Sequence, residues 1–159
     1  MTRRASEFAL TVEPELEVYF GILDHALSTC ESGLLVVRKE MPLTANGSEF
    51  IQLARKCSPE QVKETSEWPG TRLLGETATA HQFAYTPELV SIMKRFSHRL
   101  FQWVQPELPE DLCLLQAENR PWLVSIAHER DAYFLLEESQ FGELSAAVPS
   151  LVCMLARRK

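Results

Sequence analysis

The chain has 159 residues, 45% hydrophobic and 24% charged, with a net charge of −6. That balance belongs to a folded protein rather than a disordered or collagen-like one, and the length suits one domain whose core needs neither disulfides nor metal. No apolar run approaches the ~20 residues of a membrane-spanning helix. A net-acidic chain also repels phosphate backbones, so neither a membrane nor a nucleic acid is an expected partner.

Residues 1–6 read as a loose tail, and the apolar stretch at 8–12 is too short for a signal peptide, which makes the cytoplasm the expected compartment. Glu13-Pro14-Glu15 opens a first helix, with acids at the positive end of its dipole. Leu16, Tyr19, Phe20, Leu23, Leu27 and Cys30 then recur at helical spacing, and Gly33 is placed to end the helix. Leu34-Leu35-Val36-Val37 follows as a short buried strand. After a loop at 41–47, Ser48 and Ser58 look like N-caps, the second followed by Pro59 and, three residues on, Gln61. They predict two short helices, 49–56 and 59–67, broken by Trp68-Pro69-Gly70-Thr71. Weak strands are expected at 72–74 and 79–85. Thr86-Pro87-Glu88 caps the longest helix, on which Leu89, Ile92, Met93, Phe96, Leu100, Trp103 and Val104 form one stripe. Pro106 and Pro109 end it.

Residues 112–137 make the clearest structural statement. Three apolar runs, LCLLQA, WLVSIA and AYFLLE, are separated by Glu118-Asn119-Arg120-Pro121 and His128-Glu129-Arg130-Asp131. This is the pattern of an antiparallel β-meander with polar hairpin loops. Side chains alternate along a strand, so Trp122, Val124 and Ile126 are expected on one face and Leu123, Ser125 and Ala127 on the other. Neither face is polar, so both must be covered, one of them by other parts of the domain or by a second copy in a homo-oligomer. Residues 138–156 continue at helical spacing, interrupted by Pro149. The expected architecture is a single α+β domain, an antiparallel meander packed with several amphipathic helices.

Motifs that name a reaction are absent. The six glycines form no phosphate-binding pattern, no Cys-x-x-Cys or Gly-x-Ser-x-Gly occurs, and no two of the four histidines stand at i, i+4. No catalytic residue, metal ligand or cofactor is therefore assigned. The four cysteines read as free thiols of a reducing compartment. What stands out is charge. Between Trp103 and Ser145 there are nine acids (Glu107, Glu110, Asp111, Glu118, Glu129, Asp131, Glu137, Glu138, Glu143) against two bases, Arg120 and Arg130. The functional expectation is a non-enzymatic interaction protein, of the immunity or antitoxin-like inhibitor kind, whose acidic face engages a basic protein partner. Its contact residues would be Glu110, Asp111, His128, Glu129, Asp131, Glu137 and Glu138, with Trp68 as an aromatic anchor. The alternative is a small enzyme or small-ligand-binding domain with a pocket between the long helix and the sheet, and with His128, Glu129 or His81 near its mouth.

Overall fold

The structure, a computed structural model, describes residues 3–159. In chain order the elements are β1 (Ser6–Leu10), α1 (Leu16–Ala26), β2 (Ser32–Arg38), α2 (Ala45–Cys57), β3 (Glu60–Thr65), β4 (Glu67–Trp68), β5 (Thr71–Arg72), β6 (Ala78–Ala84), α3 (Pro87–Phe96), β7 (Glu110–Leu115), β8 (Pro121–Ile126), β9 (Asp131–Leu136), α4 (Glu138–Ala147) and β10 (Leu155–Arg157). Eight strands join one antiparallel sheet in the order β10-β1-β9-β8-β7-β2-β6-β3, and β4 and β5 form a separate small hairpin. The meander expected at 112–137 is β7-β8-β9, at the centre of this sheet. The fold is a single α+β domain. Among the described residues no helix is long and apolar enough to cross a membrane.

The helices pack on one face of the sheet. Tyr19, Ile22 and Leu23 of α1, Phe50 and Ala54 of α2, and Leu89, Val90 and Met93 of α3 are buried there, in one core with Phe83, Leu114, Leu123 and Phe134 from the strands. Phe50 is its hub, with the rings of Trp103, Phe96 and Phe83 at 4.9, 5.5 and 6.5 Å. This core occupies the space between α3 and the sheet, where a ligand pocket was the alternative expectation. A bulge also re-aims one side chain. Leu114 pairs with Leu123 and Leu115 with Pro121, so Trp122 is an extra residue in β8. Instead of sharing a face with Val124, it joins Leu123 on the helix side, its ring 5.0 Å from Phe134.

Several sequence expectations are corrected. Of the tail expected at 1–6, residues 1–2 lie outside the described residues, and Ser6 already belongs to β1, which is held between β9 and β10. Leu16 is exposed, and the buried face of α1 is Tyr19, Ile22, Leu23 and Ala26. Gly33 ends no helix; it lies within β2. Ser48 is inside α2, and Ser58 ends α2 rather than starting a helix. Pro59 disfavours the helical region for the residue before it, and Ser58 is accordingly extended, with φ −139° and ψ 137°. The chain then continues as β3, because β6 presents an unpaired edge and residues 60–65 have no apolar helical stripe to oppose that pairing. The stripe from Leu89 to Val104 is not one helix either. α3 stops at Phe96. Ser97 turns extended, with its hydroxyl bonded to Met93 O and 2.6 Å from Tyr19 Oη. A short 3-10 turn, Leu100–Gln102, then returns Leu100 and Trp103 to the same core.

Candidate functional site

The opposite, helix-free face of the sheet carries the unusual chemistry. Its apolar centre is small, with Leu34, Val36, Ala78, Ala80, Cys113, Leu115 and Val124 packed under Trp68 of the β4–β5 hairpin. Gly70 at the hairpin tip has φ +86°, and a Cβ there would fall 2.9 Å from Val124 Cγ1 and 3.0 Å from Ile126 Cγ1. Only glycine combines that backbone with so close an approach. Trp68 is 6% exposed, so it is a plug over the sheet and not the surface anchor expected of it. Burial pushes the Cys113 thiol up to about 12, which leaves it inert as a nucleophile.

Trp68 leads to the most unusual group in the molecule. Its indole Nε1 donates to Asp111 Oδ2 at 3.2 Å, and the backbone N–H of Ala127 donates to Asp111 Oδ1 at 2.9 Å. Asp111 is fully buried. It is also left-handed, with φ 59°, beside the register shift between β2 and β7. Neighbouring residues on a regular strand point to opposite faces. Here the left-handed residue breaks that alternation, and one donor atom each from Glu110, Asp111 and His128 lie within 4.8 Å of one another. Glu110 is 8% exposed, whereas His128 stands exposed at the rim. Burial raises the pKa of both carboxyls, and for Glu110 the neighbouring Asp111 adds to the rise.

The structure therefore brings Trp68, Glu110, Asp111 and His128 into one place, with Glu129 Oε1 3.8 Å from His128 Nε2. Glu110 and Asp111, expected on an acidic surface, are interior. The other expected contact residues lie apart. Asp131 pairs with Arg158 at 2.9 Å, and Glu138 pairs with Arg157. Glu137 caps α4, in a capping box with Gln140. Arg130 supplies the left-handed residue that the glycine-free β8–β9 loop requires, and its guanidinium reaches back to Glu13 at 3.1 Å. Of the nine acids around the meander, Asp131 and Glu138 are thus neutralised by Arg158 and Arg157.

Sequence reasoning missed a second feature of this face. A trough crosses β3, β6 and β2 beside the β7–β8 loop, made of adjoining cavities of about 560, 340 and 130 Å³ that all include Gln82 and Asn119 in their walls. At one end stand Glu31, Gln116 and Glu118, in the middle Gln61 and Lys63, and at the other end Trp68 and Pro69. Gln82 Nε2 donates to Ser32 Oγ and to Asn119 Oδ1, both at 2.8 Å, and so fixes the loop against the sheet. Glu118 and Asn119 are both left-handed, with φ 60° and 57°. Two such non-glycine residues in a row persist only where the surroundings hold them, and they concentrate at functional sites. The one sequence signal was the absence of glycine from a four-residue loop. Among the described residues no further strand pairs beyond β3, the last strand at this edge, and Val62 on it is 51% exposed.

The chain matches no family model, no curated protein and no solved structure.

Proposed function

We propose that this protein is a non-enzymatic binding protein that holds an extended, basic segment of a partner protein in the trough of the helix-free face. The observation that carries the reading is the chemistry of the trough walls. Among the described residues Glu31 and Glu118 stand there outside any ion pair and Lys63 is the single base; Gln61 and the free amide atoms of Gln82 (Oε1), Gln116 (Nε2) and Asn119 (Nδ2) can bond a peptide backbone. Glu60 also lines it, but its carboxylate is taken by Arg55 at 3.0 Å. An open strand edge alongside is the usual setting for recognising an extended chain. The acidic partner-binding face expected from the sequence thus moves from the meander tip to the trough. Glu118, an acid of the meander's first loop, is part of it. By occupying a basic partner, such a protein acts in the manner of an immunity or antitoxin-like inhibitor.

The test uses lysine-rich, neutral and glutamate-rich extended peptides of equal length, followed by fluorescence anisotropy. The lysine-rich peptide binds best, loses affinity with salt, and is weakened about tenfold, or about 1.4 kcal/mol, by Glu31→Lys with Glu118→Lys. A partner captured from the native cell by the wild type is lost by the same double variant. Equal binding of all three peptides, or no effect of the double variant, overturns the reading.

A further inference from the structure

We propose that Glu110, Asp111 and His128 form a binding site for a first-row divalent cation, with zinc the best match. Three ligand atoms converge from two places in the fold, two carboxylate oxygens at the start of β7 and an imidazole nitrogen in the turn after β8, all within 4.8 Å. Modest closure of the exposed His128 side chain brings such a set to the ~2.0–2.2 Å bond lengths of zinc to nitrogen and oxygen. A mixed oxygen–nitrogen set suits zinc and its first-row neighbours better than calcium or magnesium, which prefer oxygen alone. Three protein ligands leave a position open to solvent.

The independent observation is Glu110 itself. Its side chain is more than nine-tenths buried, and its Oε2 is enclosed without any hydrogen-bond donor. Asp111 is accounted for by the scaffold, since both its oxygens accept hydrogen bonds that hold Trp68 and the β8–β9 turn. The Glu110 carboxyl takes a backbone hydrogen bond from Gln105, but its Oε2 accepts none. A buried carboxylate oxygen without a donor destabilises the fold, and a cation is the partner that offsets this. Arg38, the positive side chain whose field reaches both carboxyls, makes its ion pairs with Glu40 and Glu76, each at 3.6 Å. It leaves Glu110 Oε2 unmet. His128 is tied only to exposed Glu129, so it is free to swing inward.

The experiment titrates the full chain with Co²⁺ as a spectroscopic stand-in and then displaces it with Zn²⁺, alongside calorimetry with Zn²⁺ and Mg²⁺. One equivalent of Co²⁺ is expected, with d–d bands but no thiolate charge-transfer band, and Mg²⁺ binds at least tenfold more weakly than Zn²⁺. Glu110→Gln and His128→Ala each weaken Zn²⁺ at least tenfold, while Glu143→Gln on the exposed side of α4 leaves it unchanged. His128 is exposed in a turn, so its variant reads out binding even where Glu110→Gln impairs folding. A thiolate band, which assigns the metal to Cys57 or Cys153, overturns the proposal. So does saturation that neither variant alters, or the absence of binding.

Discussion

On the helix-covered face of the sheet, Phe50, Phe83, Phe96 and Trp103 meet ring against ring, and the polar atoms among them are paired: Trp103 Nε1 donates to Tyr19 Oη at 2.7 Å and Tyr85 Oη to Leu23 O at 2.7 Å. On the helix-free face the packed residues include alanines and a cysteine, the cover is a two-stranded hairpin, and two carboxylates are enclosed with one oxygen unmet. The helix-covered side has unmet buried atoms too, Glu60 Oε2 and His81 Nδ1, at its β3–β6 edge. One face holds the molecule together, and this stability lets the other keep groups that destabilise it. Backbone in the left-handed region, a buried acid pair and open cavities occur together on the face that contributes least to the core. Such a division is the usual trade between stability and function.

The comparison can be broken by mutation. The largest loss is expected from Phe50→Ala, which empties the hub of the helix-covered core and costs about 3–5 kcal/mol, read from urea denaturation with an unchanged m-value. A smaller loss, about 1–3 kcal/mol, follows Gly70→Ala, where a Cβ collides with Val124 and Ile126 in a backbone unsuited to alanine. Its signature is local: faster hydrogen exchange in β4 and β5 while the helices remain protected. Equal exchange throughout the chain would show that the hairpin is part of the main cooperative unit and that the two faces are not separable.

The smallest effect is a matter of pH. His81 lies on β6 at the edge of the helix-covered face, buried, with Glu60 Oε2 3.5 Å from its Nδ1. Burial lowers its pKa below the ordinary 6.5, and the nearby Glu60 carboxylate offsets this only in part. Below about pH 6.5 the unfolded chain takes up a proton that the folded chain refuses, so stability is level above that pH and falls as the solution is acidified through it. His81→Gln removes this part of the slope. Stability curves of the two proteins that stay parallel between pH 7 and the onset of acid unfolding, roughly pH 5 on the usual scale, would show that Glu60 cancels the effect of burial.

How far the sequence foretold this can be judged element by element. The meander was legible because apolar runs of strand length between polar breaks admit few other readings. β3 was not, since Ser58-Pro59-Glu60-Gln61 is a sound local helix signal overridden by a pairing partner that enters the chain only at Ala78. The sequence overstates the length of α3 because its apolar stripe records burial, and a 3-10 turn satisfies the same stripe. Trp68, Glu110, Asp111 and His128 were all singled out, but as surface groups. Aspartate tolerates a left-handed backbone without requiring it, so nothing in the sequence announced that Asp111 turns inward. The trough was illegible for a different reason: Glu31, Gln61, Gln82 and Glu118 come from separate segments that only the sheet order brings together.

β1 also has a bearing on the order of assembly. Its neighbours, β9 and β10, come from residues 131–157, so no nearby segment can pair with it early. Synthesis runs from β1 to β9 and β10, so this strand is made well before its hydrogen-bond partners. The loop it must close spans most of the chain, an entropic cost met before any compensating contact forms. Until then Phe8, which stacks on Phe141 at 4.6 Å in the finished fold, is exposed on an unpaired strand. An apolar strand whose partners lie this far along the chain is a pairing edge open to other chains until β9 is in place.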